Sequence, residues 1–152
     1  MGQVTQEIEN AIKTLKLDYN HIKPLDKNEG KRVFDELLSH FVNSGDRRWW
    51  WEDFKQKSFS FQSSDKPFEI LNEIIPETKD KLWLMVEDDE EVFFPIYETQ
   101  PGVIQQVIGE CFGFEYYIID KNKDWLICET HHNKLIGIGE KLRIKNLKKI
   151  VD

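Results

Sequence analysis

The sequence is short of the features that announce most chemistries. Its 152 residues hold two cysteines, Cys111 and Cys128, too few for a disulfide framework. No apolar run approaches the ~20 residues that a membrane-spanning helix needs. Residues 1–7 carry neither the basic nor the apolar segment of a secretory signal. The expectation is therefore a cytoplasmic protein with no membrane partner. Positive charge is also scarce, with 21 Lys and Arg against 28 Asp and Glu, a net charge of −7. That balance argues against direct binding of DNA or RNA, which calls for a basic face to displace counterions from phosphates. There is no Walker sequence and no Gly-x-Ser-x-Gly. Gly137-Ile138-Gly139 lacks the third glycine of a dinucleotide fingerprint and reads as a strand-end bulge or a point of close packing. No repeat or low-complexity linker divides the chain.

What the chain does have is aromatic bulk. Ten Phe, five Trp and four Tyr are too much apolar area to leave in water. A single domain over 1–152 fits the length, and a chain of this size buries about 68–70% of its unfolded surface without staples. Val4, Ile8, Ala11, Ile12 and Leu15 recur at helical spacing over 4–16, with Thr5 as a candidate cap. Residues 16–30 read as a loop holding Pro24. Val33, Phe34, Leu37, Leu38 and Phe41 stripe a second helix over 29–42. Residues 57–62 read as a weak strand. Asp65 and Pro67 open a third helix, with Phe68, Leu71, Ile74 and Ile75 as its apolar face. Pro101-Gly102 leads into a fourth, carrying Val103, Ile104, Val107, Ile108 and Cys111 on one side.

Strands are expected at 82–86, 92–97, 115–120, 125–130 and 135–138, with hairpin connections at 87–91, 121–124 and 131–134. Pro95 cannot donate to a ladder, which marks 92–97 as an edge or a bulged strand; an edge there is open to pairing with a second copy in a homodimer. Residues 141–151 fit a short helix with Leu142, Leu147 and Ile150 inward. With no repeating βαβ alternation, the pattern predicts an α+β fold: one mostly antiparallel sheet with helices packed on one face.

Three constellations carry the functional reading. Cys128-Glu129-Thr130-His131-His132 places a thiol beside imidazoles, as a thiol enzyme would need. Cys128, however, lies in a predicted strand, where neighbouring side chains alternate between faces. A metal site would draw on Glu129, His131 and His132, with His21 or His40 as a further ligand. Adjacent histidines in a turn are expected to point apart, so no catalytic residue, metal or cofactor is assigned. Arg47-Arg48-Trp49-Trp50-Trp51 interleaves cations and aromatic planes, the composition of interface hot spots. Three successive tryptophans cannot all face inward, which leaves one as an exposed anchor. Finally, Glu87, Asp88, Asp89, Glu90 and Glu91 form a run of five carboxylates. Between 77 and 98, eight acids face two lysines, a net of −6. Such a lobe steers a basic partner, and reversing Asp88 and Glu90 to lysine is expected to slow association.

The second half resembles a known family. Leu82-Trp83-Leu84-Met85-Val86-Glu87, the segment 92–97, the helix up to Phe112, Glu115-Tyr116-Tyr117-Ile118-Ile119 and Trp125-Leu126-Ile127-Cys128-Glu129-Thr130-His131-His132 are similar to small Bacillus-type immunity proteins. These are the antitoxins encoded beside LXG polymorphic toxins, and the layout is also SUKH-like. The resemblance implies a non-enzymatic protein that neutralises a cognate toxin by occlusion, the expected target being a basic nuclease domain. Residues 87–91 would then supply the field and Trp49, Trp50 or Trp51 the anchor. The alternatives are a small metal-dependent or thiol enzyme built on the 128–132 region, and a regulatory or scaffold domain with some other partner.

Overall fold

Five consecutive apolar residues, Leu82-Trp83-Leu84-Met85-Val86, are all buried in strand β3 (Leu82–Val86). A strand sends alternate side chains to opposite faces, so uninterrupted burial means that both faces of the sheet are covered. In the computed structural model, which describes residues 2–43, 50–61, 66–88, 90–91, 93–143 and 150–151, that is what is seen. Leu82, Leu84 and Val86 join a core with Tyr116, Ile118 and Ile127. Trp83 and Met85 join a second core with Tyr117, Ile119, Leu126 and Cys128.

Helices α1 (Gln3–Thr14), α3 (Leu71–Ile74) and α4 (Ile104–Gly109) seal the first face with Ile8, Ala11, Ile12, Leu71, Ile74, Ile104, Val107 and Ile108. These three keep to one face, but the expectation that all the helices would do so fails at the remaining one. Helix α2 (Lys27–Phe41) covers the opposite face with Val33, Phe34, Leu37 and Phe41. A sheet whose central strands are apolar on both sides requires this second layer. Asp26 caps α2, its Oδ1 accepting the Glu29 N–H at 2.8 Å. Lys31–Asp35 and Arg32–Glu36 pairs line its outer surface.

The remaining strands are β1 (Ile22–Pro24), β2 (Phe59–Phe61), β4 (Ile96–Thr99), β5 (Tyr116–Asp120), β6 (Leu126–Glu129), β7 (Leu135–Ile138) and β8 (Ile150–Val151). The eight-stranded sheet runs β1-β4-β3-β5-β6-β7-β2-β8, and each ladder is antiparallel. The fold is α+β. The edge expected at 92–97 is closed: β4 begins at Ile96 and lies between β3 and β1. The segment read as a loop supplies that cover, and Pro24 is tolerated in β1 because the strand is outermost.

The β5–β6 and β6–β7 turns place Lys123 and Asn133 at φ of 61° and 58°. Gly139 bears out the close-packing reading, since a Cβ there would meet the Asp124 carbonyl oxygen at 2.5 Å. Of the tail expected to be helical, residues 144–149 lie outside the described set, while 150–151 form β8 against β2. The expected Asp65 cap also lies outside the described residues. The segment that follows opens as a 3-10 turn at Pro67–Ile70 before α3.

Candidate partner-binding face

Among the described residues, the expected anchors and the acidic run are largely drawn into the fold, and Trp51 and Glu87 meet at one carboxylate, Glu115. Trp49 and Asp89 lie outside the described residues. Trp50 is fully buried, its ring 5.2 Å from Tyr117 and 5.6 Å from Phe34, so it is a core residue and not an anchor. Truncating a tryptophan in such a setting costs about 3–5 kcal/mol. Trp51 is half-buried, and its indole N–H donates to Glu115 Oε1 at 3.0 Å.

Asp88, expected in an outward field, is turned inward and only 2% exposed. Its Oδ2 accepts the Thr5 N–H at 3.1 Å and the Thr5 hydroxyl at 3.2 Å, and its Oδ1 accepts the Glu90 N–H. Glu91 accepts the Gly2 N–H at 2.9 Å. Helix α1 has no acid in its first turn and no side-chain cap of its own. Its unsatisfied N–H groups and positive dipole end therefore draw carboxylates from 83 and 89 residues away. Thr5, expected as the cap, is instead the residue being held. Gly2 allows the approach, for a Cβ there would lie 2.2 Å from Asp88 Oδ2. Reversing Asp88 would break this joint as well as the field, and among the described residues of the run Glu90 is the exposed one.

Glu115, just before β5, is the hub of this end of the sheet. Its Oε1 accepts the Trp51 indole N–H, the His131 backbone N–H at 3.0 Å and the His131 Nδ1–H at 2.8 Å. Burial pushes the Glu115 carboxyl up. Hydrogen bonds from the Glu87 side chain, from both His131 groups and from Trp51 outweigh that, and they hold it below the usual glutamate range. The histidine rings do not point apart. Their centroids are 4.0 Å apart, with Trp51 within 5.6 Å of one and 5.9 Å of the other. Glu115 thus orients an imidazole that is half exposed. The cleft it faces, of ≈ 450 Å³, is lined by Gln3, Val4, Glu7, Glu87, Asp88, Glu90, Gly113 and Phe114 besides the pair itself. Among the described residues no serine, threonine or cysteine lines that cleft beside the imidazole.

The two thiols pack on opposite faces of the sheet. Cys128 is buried in the α2-side core, and that burial raises its pKa well above the usual range. Cys111 packs on the opposite face, pushed up to about 12 by burial and then by Glu7 and Glu110. Glu129 turns away from Cys128 to accept the Tyr116 hydroxyl at 2.8 Å. Among the described residues no three His, Cys, Asp or Glu side chains are grouped to hold a metal ion, and no helix is long and apolar enough to cross a membrane.

The feature that sequence reasoning missed is Phe112, 95% exposed. The spacing of Ile104 and Ile108 would carry it inward on a continuing helix. Helix α4 stops at Gly109, however, and Gly113 follows at φ 101°. The Phe112 N–H is tied to Glu7 Oε1 at 2.8 Å. Phe112 therefore directly precedes Gly113 and Phe114 in the wall of a cleft whose lining, among the described residues, holds five carboxylates and one histidine and neither lysine nor arginine. An exposed aromatic residue is thus set next to an acidic depression.

No curated protein and no solved structure matches the chain. A family model matches residues 2–149, and the chain belongs to that family, DUF6756, a family of unknown function.

Proposed function

We propose that the chain is an immunity-type binding protein that occludes a basic partner, a toxin nuclease domain being the expected class. The observation that carries the reading is Phe112, exposed beside the Glu7–Glu87–Glu90 cleft. Carboxylates raise the rate of encounter with a basic surface, and a rigid aromatic fixes the register. Such a protein needs no catalytic group of its own. The resemblance of roughly residues 49–139 to small immunity proteins, read from sequence, supports the same reading.

The test starts from tagged protein purified from its native cells, with mass spectrometry of what stays bound. The expected partner is a larger protein with a basic carboxy-terminal domain whose activity the chain inhibits at one-to-one stoichiometry. Phe112→Ala is expected to raise the Kd at least tenfold. Glu90→Lys with Glu110→Lys, both exposed, is expected to slow association at low salt and to leave dissociation nearly unchanged. Full inhibition by the triple variant with unaltered rates would overturn this face as the contact.

A further inference from the structure

Beside Phe112, and sharing Gly113 and Phe114 with the acidic cleft, lies a second cavity of ≈ 170 Å³. That is below the ~300–1,000 Å³ of sites for drug-sized ligands, and it suits a single side chain. Its walls include Phe68, Phe112, Phe114 and Tyr116, with Phe114 set edge-on to Tyr116 at 6.4 Å. Glu129, a lining residue only 7% exposed, brings a carboxyl to it. Tyr116 and Glu129 are direct partners across β5 and β6, which places them on one face. The tyrosine hydroxyl donates to Oε1, and among the described residues Oε2 accepts no hydrogen bond and no cation pairs with the carboxyl. Lys66 also lines the cavity, with its side chain exposed.

A buried carboxyl inside an aromatic enclosure is the arrangement that binds organic cations. Burial alone raises the Glu129 pKa, only partly offset by Tyr116, and an entering cation would supply the charge that the site lacks. We propose that this cavity receives one arginine side chain of the basic partner, stacked on the phenylalanines and paired with Glu129. The proposal rests on the occlusion reading. Arginine fits best because its guanidinium is planar, weakly hydrated and able to stack while it hydrogen-bonds a carboxylate.

The test is an NMR titration of the full chain with three probes: acetyl-Gly-Arg-Gly-amide, its neutral citrulline isostere and tetramethylammonium chloride. The arginine peptide is expected to shift the ring signals of Phe112, Phe114 and Tyr116. Glu129→Gln, which keeps an acceptor for Tyr116, is expected to weaken that binding at least fivefold. Phe112→Ala, at an exposed site that cannot compromise the core, is expected to weaken it severalfold. Equal shifts from the citrulline peptide overturn the proposal, as does unchanged affinity in Glu129→Gln. Tetramethylammonium binding as tightly as the arginine peptide overturns it too, assigning the cavity to free small cations. A captured basic partner that binds Glu129→Gln as tightly as wild type overturns the cavity's role and leaves occlusion standing. Arginine-peptide binding by a chain with no basic partner keeps the arginine site and overturns occlusion.

Discussion

Glu115 and Glu129 lie at the same end of the sheet, one immediately before β5 and the other closing β6, and both are almost fully removed from solvent. Glu115 collects three N–H donors on one oxygen and is held low. Glu129 receives one hydroxyl and is held high. Burial disfavours the charge in both, so the supply of donors separates them. The first carboxylate is satisfied by its own chain and acts as a structural joint between Trp51, His131 and the sheet. The second is left under-supplied beside a cavity. An under-supplied buried acid beside a cavity marks a candidate functional site, where a fully supplied one marks a structural joint.

Removing the joint gives the largest effect. Glu115→Ala strips the acceptor from the Trp51 indole and from both His131 donors. Since Trp51 and His131 retain some access to water, the expected loss is about 2–3 kcal/mol, read from urea unfolding at pH 7. Glu129→Ala is expected to cost less, because it abandons one hydroxyl only. Equal losses would erase the distinction drawn between the two sites.

The opposite pKa directions give opposite pH slopes. Glu115 is depressed, so its contribution is complete above the ordinary value of 4.5 and is lost as pH falls through the folded value. Glu129 is raised, so the native state binds the extra proton, and stability falls as pH rises from 4.5 through the folded value. Wild type compared with Glu115→Gln should therefore lose its advantage on acidification. Wild type compared with Glu129→Gln should lose ground as pH rises. Urea midpoints from pH 3 to 8 measure both, and slopes of the same sign would break the comparison.

How far this was readable in advance follows from the same residues. Apolar periodicity located β3, β5, β6 and β7 to within about a residue, because a buried strand must be apolar whatever it packs on. It could not show that Trp83 and Met85 face a second layer, since an uninterrupted apolar run is silent about what covers it. Glu87, Asp88, Asp89, Glu90 and Glu91 read as a solvated field because charge runs usually are one. The pull on Asp88 comes from a helix terminus 83 residues away, which no local pattern encodes. Phe112 was hidden by the opposite error, a helical spacing that continues in sequence after the helix itself has stopped at Gly109.

A smaller effect isolates one donor of the Glu115 joint. Trp51→Phe keeps most of the ring against His131 and His132 and removes only the indole N–H. The expected loss is about 1 kcal/mol. The Glu115 carboxyl should move upward, toward Glu129 in character, as seen by side-chain carboxyl NMR. A Glu115 titration that does not move would mean that the two His131 donors alone set its state.

The smallest effect on stability is expected where the effect on function is largest. Phe112 touches little of its own chain, and its backbone N–H, not its ring, makes the bond to Glu7. Phe112→Ala should therefore change stability by less than about 0.5 kcal/mol and leave both carboxyl titrations in place. A change of 2 kcal/mol in the urea midpoint analysis would instead make Phe112 part of the fold. The exposed knob and the joint at Glu115 would then be one structural unit, and the division between a satisfied interior acid and an open, partner-facing one would not hold. A stable Phe112→Ala protein that no longer binds a basic domain would place the energy of association on a side chain that folding does not need.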